Sequence, residues 1–524
     1  MDIVSTIVNI DNAIWAMPVI LILLGVSIVY CFAMKFGTLR NWKLQMAMLR
    51  QSDDSEDGIS PLETFFSVAA YRVAVGNVGG VCVAIMSGGP GAIFWMLVTS
   101  LLTSAIAYAE NSLGQIYKIR QDGQYRGGPY NYMESGLGWR PLSVIFALLA
   151  LIAVPLFVSG AGANNIGMAF KNSLGISPVI SGAIVAILLF LVISGGVRRI
   201  AKFSTFIVPV MTVLYLVLTL IVLIANFTKI PGLFGLILSS AFSVNAIFGG
   251  LFGNAVQYGV KRAVNSSGAG MGETPCTAAA AENKHPCQQG MVNAFTVYID
   301  VAVCLCSGFM VLITDCYNVF NLGSTTSFMH IGSGSPIMAQ QAASATAGVV
   351  WVQEAVNTVV PSIGGIAVAF ALTFFAFSTT IAYYYEGECG LAYLARNLDE
   401  SVRNKMIWVL RIAMPIMFFI WANVTATTAW TISEIALGIM IWVNGISLIF
   451  LFPTVIKVYN DYMTQWKAGK DPYFNPKKLG IKNADLWMDI NKERIEADEK
   501  AERMAQNKSQ TIKSTSKPVS ESIE

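Results

Sequence analysis

The stretch YRVAVGNVGG at positions 71 to 80 sets Arg72, Asn77 and three glycines, Gly76, Gly79 and Gly80, inside a segment otherwise apolar enough to cross a membrane. Glycine permits a helix to unwind. In hydrocarbon an unwound turn survives only where it lines a cavity or is buried by protein, because its freed N–H and C=O groups need partners. Asn77 adds a side-chain carbonyl and an amide at the same point, so the break is a candidate binding site. Gly76 and Gly80 also have the spacing of a small-xxx-small helix contact, which is the alternative reading. Further along, AIFGGLFGNAVQYGVKR at 246–262 repeats the pattern with Gly249, Gly250 and Gly253.

Ionisable residues inside apolar stretches are costly and are functional candidates by default. Arg72, Glu110 and Asp300 qualify. Arg72 reads either as the partner of Glu110 or Asp300 in a structural pair or as a ligand contact. Glu386 and Glu388 fall near the end of their span and are expected to be hydrated gate or surface residues. Eight scattered cysteines and two histidines offer little for a metal site, and the cysteines read as packing residues. Paired carboxylates, a nucleophile triad and a phosphate loop are all missing from the sequence. An enzyme is therefore not expected, and no nucleic-acid partner is implied.

The elements that must position these residues are membrane helices. Of 524 residues 55% are hydrophobic and only 12% charged, with a mean hydropathy of +0.59, whereas soluble globular chains carry about 25% charged residues. Hydrocarbon about 30 Å thick needs roughly 20 apolar residues per helix. Eleven candidate spans result: 16–35, 62–86, 91–113, 142–168, 176–195, 203–226, 241–262, 291–315, 362–386, 406–423 and 429–456. The start lacks a basic n-region, so the first reads as a retained span rather than a signal peptide. Alternate loops hold seventeen lysines and arginines on one side against Lys171 and Lys229 on the other, which places the N-terminus outside and the C-terminus in the cytoplasm. The tail, 457–524, is expected to be solvated, with a surface helix in ADLWMDINKERIEADEKAERMAQNK and disorder after it.

Two interrupted spans, each opening a group of five and entering from opposite sides, mark an inverted-repeat transporter with its site at mid-membrane. The repeats are 61–226 and 241–456, and residues 1–60 form an extra helix and loop outside the scheme.

Several motifs in order then resemble the sodium:alanine (alanine or glycine:cation) symporters, which adopt the leucine-transporter fold. They are VGNVGGVCVAIMSGGPGAIFWM and YAENSLGQIYKIRQDGQYRGGPYNYMESGLG within 75–138, SGAGANNIGMAF at 159–170, GAGMGETPCTAAAAENKHPCQQG at 268–290, YIDVAVCLCSG at 298–308 and FFAFSTTIAYYYEGE at 374–388. The likeness runs along nearly all of the membrane portion.

The resemblance implies an all-α integral membrane protein that imports a small neutral amino acid, alanine or glycine, with sodium as coupling ion and no other cofactor. Its partners would be the amino acid, sodium and membrane lipid of a plasma membrane. The substrate carboxylate would meet N–H groups near Val75, Gly76 and Asn77, and its ammonium the carbonyls from Arg72 to Val75 and around Phe248 and Gly249. Asn164 matches a family asparagine and would reach the substrate. Ser378 and Thr379 would face the carbonyls of Ala70 and Val73 to hold sodium, with Asn77 as a further ligand. Hydroxyls in FSTTIA can instead bond their own helix. Three departures from the family pattern stand out: Gly162 replaces a glutamine, Ser267 and Gly268 replace an Asn-Glu pair, and AVGN at 74–77 replaces GTGN. Rival readings are a proton-coupled transporter or exchanger working through Asp300, and a non-transporting sensor.

Overall fold

The first broken span opens on a complete N-terminal cap. Ser60 Oγ accepts the Glu63 N–H at 3.2 Å, the Glu63 carboxylate accepts the Ser60 N–H at 3.0 Å, and Pro61 occupies the first helical position. The computed structural model describes residues 7, 10–11, 13–15, 17–49, 58–242, 251–344 and 346–515. Its main helices are α1 (Met17–Ala33), α2 (Pro61–Arg72), α3 (Gly79–Gly88), α4 (Ala92–Ile116) and α5 (Arg140–Leu174), followed by α6 (Pro178–Ile193), α7 (Gly196–Ala225), α8 (Ile230–Ala241) and α9 (Phe252–Ser267). The remainder are α10 (Pro286–Ile313), α11 (Gly364–Leu394), α12 (Glu400–Ala422), α13 (Ala426–Phe450) and α14 (Phe452–Lys467). Among the described residues seven helices are long and apolar enough to cross a membrane, and α3, α6, the Leu21–Ala33 part of α1, and α8 with the turn before it are shorter apolar helices.

Ten of the eleven expected spans meet helices at close to the expected places, and 62–86 is two helices, α2 and α3, as its glycines demand. The span 241–262 is borne out only in its second half. Residues 243–250, with Phe248, Gly249 and Gly250, lie outside the described residues. Gly253 does not interrupt anything: it stands in the first turn of α9. The second break comes later, between Ser267 and the short helix Pro275–Ala279. Gly268, Gly270 and Gly272 there have φ of +59°, +88° and +83°, conformations that side chains resist.

α4 runs through the centre against α9 and α10, while α2 packs on α7, α10 and α11. α5 carries a π-helical segment, Leu149–Val158, around Pro155, whose missing N–H opens the helical ladder. Carbonyls in this segment also take donors from neighbouring helices: Trp421 Nε1 on α12 donates to Leu156 at 2.7 Å and Ser433 Oγ on α13 to Phe157 at 3.1 Å. The outer faces of α6, α7 and α12 expose Ile180, Ile187, Phe206, Val213, Val409 and Ile416, which suits hydrocarbon rather than water.

The tail departs from the solvated expectation. Phe474, Ala484, Trp487 and Ile495 are buried. Trp487 Nε1 donates to the carbonyl of Gln115 at 3.0 Å, and Asn491 Nδ2 to that of Lys284 at 3.0 Å. Lys118, just past α4, lies over the rings of Tyr125 and Trp487. The tail is thus packed under the end of α4 because it brings its own aromatic anchors. The expected surface helix is present as Lys492–Thr515, and residues 516–524 lie outside the described residues.

Candidate functional site

At the first break the chain leaves helical geometry at Val73 (φ −82°, ψ 83°), is extended at Ala74, makes one tight turn over Val75–Asn77 and re-enters helix at Gly79. Asn77 holds this turn closed. Its Oδ1 accepts the Ala74 N–H at 3.1 Å and its Nδ2 donates to the Asp300 carboxylate at 2.7 Å and to the Asp300 carbonyl at 3.1 Å. Its own carbonyl accepts Ser307 Oγ at 2.6 Å. Asp300 also takes Ser266 Oγ at 2.5 Å, so the aspartate anchors both broken helices to α10.

The second break is held by a carboxylate from α4. Glu110 accepts the N–H groups of Gly270 at 3.0 Å and Gly272 at 3.3 Å and the Thr274 hydroxyl at 3.2 Å. Asn444 on α13 donates to the Gly270 carbonyl at 3.0 Å.

An exchange of arginines ties the two breaks together. Arg72, the last residue of α2, donates to the Ser267 carbonyl at the end of α9, and its Nη2 is 3.8 Å from Glu110. In return Arg262 of α9 lays its guanidinium over α3, where a Cβ on Gly76 would stand 2.6 Å from Nη2 and one on Gly80 would clash harder. The space at these glycines is therefore filled by a cation. Close contact between helix backbones does not use it.

A cavity of about 60 Å³ opens beside this junction, lined by Ala74, Val75, Gly76 and Asn77 from the first break and by Arg262, Asn265, Ser266 and Glu273 from the second. Val158, Ser159 and Gly162 of α5, Thr379, Thr380 and Tyr383 of α11 and Trp430 and Ser433 of α13 complete the wall. Of the sequence candidates, Val75, Gly76, Asn77 and Thr379 reach the cavity. Arg72 does not line it and is a buried partner of Glu110. Asn164 also stays out, donating to the Val424 carbonyl. Gly162, one of the departures, is in the wall, and a Cβ there would meet Ala376 and Thr380 only at 3.5 Å and beyond. Glycine thus leaves the cavity larger on that side.

The two hydroxyls expected at the ion separate. Thr379 Oγ1 lies 2.7 Å from the Ala70 carbonyl and 2.9 Å from that of Phe375 on its own helix. Ser378 points elsewhere, to the Phe375 carbonyl at 3.0 Å and Met211 Sδ at 3.5 Å. Successive helical residues are about 100° apart, and here it is Thr379 that reaches the Ala70 carbonyl of α2.

Four charged groups sit differently from expectation. Glu386 and Glu388 are buried, because α11 continues to Leu394, well past residue 386. Glu388 is bonded to Arg126 at 3.1 Å and Tyr384 at 2.6 Å, and neither oxygen of Glu386 has a hydrogen-bond partner among the described residues. Arg262 and its neighbour Lys261, counted as loop charges in reading orientation, are inside α9. Lys261 pairs with Glu434 at 2.9 Å and Asp11 at 3.5 Å. With both set aside the excess of basic residues on that side stays large. Arg262 and Glu273 were not singled out from sequence, since one looked like a flanking charge and the other like a loop residue.

The sodium:alanine symporter family profile matches residues 1–476. The chain belongs to that family. A sodium/proton-dependent alanine carrier protein of Bacillus sp. (strain PS3) is 37% identical over 442 residues, covering 84% of this chain and 96% of the carrier. The sodium/alanine symporter AgcS of Methanococcus maripaludis is 32% identical over 473 residues, 88% of this chain and 98% of that one. The crystal structure of MhsT in complex with L-phenylalanine superposes with a TM-score of 0.52 at 16% identity, covering 78% of this chain and 99% of that one. That likeness establishes the leucine-transporter fold for this symporter. The protein is accordingly a multi-pass membrane transporter and not an enzyme.

Proposed function

We propose that the protein imports a small neutral amino acid, alanine or glycine, with sodium, across a plasma membrane in which its N-terminus is outside and its tail cytoplasmic. The observation that carries this reading is the cavity between the two breaks, where Val75, Gly76 and Asn77 meet Arg262. An amino acid's carboxylate fits between the start of α3 and that guanidinium. Sodium is assigned to the Ala70 carbonyl and Thr379, with the Val73 carbonyl beside them, because a hard cation takes oxygen ligands. Ser378, turned toward Met211, is left out of this set. The five-plus-five repeat supplies the motion, one bundle rocking against the other around a fixed site.

The test is uptake of labelled alanine and glycine by proteoliposomes holding the full chain, with an inward sodium gradient and with choline in its place. Uptake above background only with sodium is the expected result. Uptake that a proton gradient drives equally well in choline would replace sodium coupling by proton coupling. Binding without counterflow would make the protein a sensor.

A further inference from the structure

Most of the buried charges near the junction are spoken for. Arg72 faces Glu110, Lys261 faces Glu434 and Asp11, and Asp300 takes Asn77 and Ser266. Two groups that line the cavity keep one unused atom each, although the Tyr383 hydroxyl already serves Glu273. Arg262 is 7% exposed and its Nε has no hydrogen-bond partner; Glu273 is 3% exposed and its Oε1 has none either. They carry opposite charge and open on the same space. A buried charged group with a donor or acceptor left unused is costly unless something arrives to use it.

The backbone makes room for this carboxylate specifically. Oε2 of Glu273 lies where a Cβ on Gly268 would stand, and Gly268 is in the left-handed region at φ +59°. Any other residue at 268 would push the carboxylate out of its place. Glu434, which also lines the cavity, is paired with Lys261, and Glu110 is taken by two backbone N–H groups, Thr274 and Arg72, so neither is free to receive a ligand.

We propose that Glu273 receives the substrate's ammonium group, opposite Arg262 at the carboxylate end, so that the cavity selects a zwitterion by its two charges. This rests on reading the cavity as the substrate site. A free α-ammonium supplies the donors that Oε1 lacks, and a charge-assisted bond in a water-poor cavity is strong. The proposal adds a second charged side chain to a recognition scheme that otherwise rests on Arg262 and backbone groups.

The experiment is equilibrium binding to the full chain in saturating sodium, with alanine and lactate as probes, since lactate carries a hydroxyl where alanine carries its ammonium. Glu273→Gln keeps the shape and removes the charge. Its preference for alanine over lactate should fall about tenfold or more, as expected when a charged hydrogen bond is lost. A preference unchanged from the parent would overturn the proposal. Should that variant not fold, Glu273→Asp serves: it keeps the charge but shortens its reach, so the preference should again fall, and an unchanged one overturns the proposal equally. Gly162→Leu separates the two readings by filling the cavity from another wall. If it abolishes alanine binding while Glu273→Gln leaves the preference intact, the cavity is the site and the ammonium lies elsewhere. If Gly162→Leu binds alanine normally, the cavity is not the site and the proposal falls with it.

Discussion

The two breaks do the same thing by different means. The first, at 73–78, is closed by a side chain of its own, Asn77, which mimics the missing helical bond to Ala74 and then reaches Asp300. The second, at 268–274, has only a long local bond, from the Ala269 N–H to Ser267 Oγ at 3.3 Å, and is held mainly by Glu110, a carboxylate from another helix. A self-capped break can keep its shape while its surroundings move. A break pinned from α4 moves with α4. The arginine exchange, Arg72 toward the second break and Arg262 toward the first, makes each half a support of the other.

Removing Arg72 should break this arrangement most severely. Arg72→Met leaves Glu110 without its counter-charge and the Ser267 carbonyl without its donor, a loss on the order of 3–5 kcal/mol for a buried pair. Thermal unfolding of the purified protein should fall sharply or the yield should collapse; normal stability would show that the second break stands on Glu110 and the backbone alone.

Gly76→Leu comes next. It should abolish alanine binding by driving the Arg262 guanidinium from the cavity wall, with a packing cost of about 1–3 kcal/mol. The displaced atoms are the end of a flexible side chain, so Gly76→Leu with Arg262→Ala should regain stability without regaining binding. Tight alanine binding by a stable Gly76→Leu protein would remove the site from this junction. Asn77→Ala should cost about 1–3 kcal/mol by stranding the Ala74 N–H and the Asp300 carboxylate, and hydrogen exchange should quicken at 73–78 while 268–274 stays protected. Equal exchange at both breaks would show that the first is not closed by its own Asn77.

The smallest effect sharpens the ion site beside the first break. Thr379→Val should raise the sodium concentration for half-maximal uptake several-fold, about 1 kcal/mol, and Ser378→Ala should leave it nearly unchanged. The reverse order would turn α11 by one residue relative to α2.

How much of this was legible follows from the kind of signal involved. Apolar length located the spans, and three glycines with an asparagine located the first break. The second was sought at Gly249, Gly250 and Gly253 because glycines cluster there, yet Gly253 is helical, and the alternating Gly268, Gly270 and Gly272 mark the unwound chain. Alternation matters because residues 268, 270 and 272 each adopt positive φ between residues that do not. The likeness to the fold coupled Ser378 to Thr379, whereas in this helix their hydroxyls take different partners. Arg262 and Glu273 could not be placed without knowing which way α9 turns, since burial of a charge is decided by its partners across the fold. The family likeness carried the function, and the cavity wall had to be seen.

The guanidinium lying over Gly76 and Gly80 has a consequence for how such a chain can vary. Neither glycine can gain a side chain while Arg262 keeps its pose, and once Arg262 is shortened that contact no longer holds them bare. These three positions therefore form a ratchet across the sequence. A lineage that loses the arginine first is free to fill the glycines, and after it has done so, restoring the arginine alone no longer restores its place in the wall.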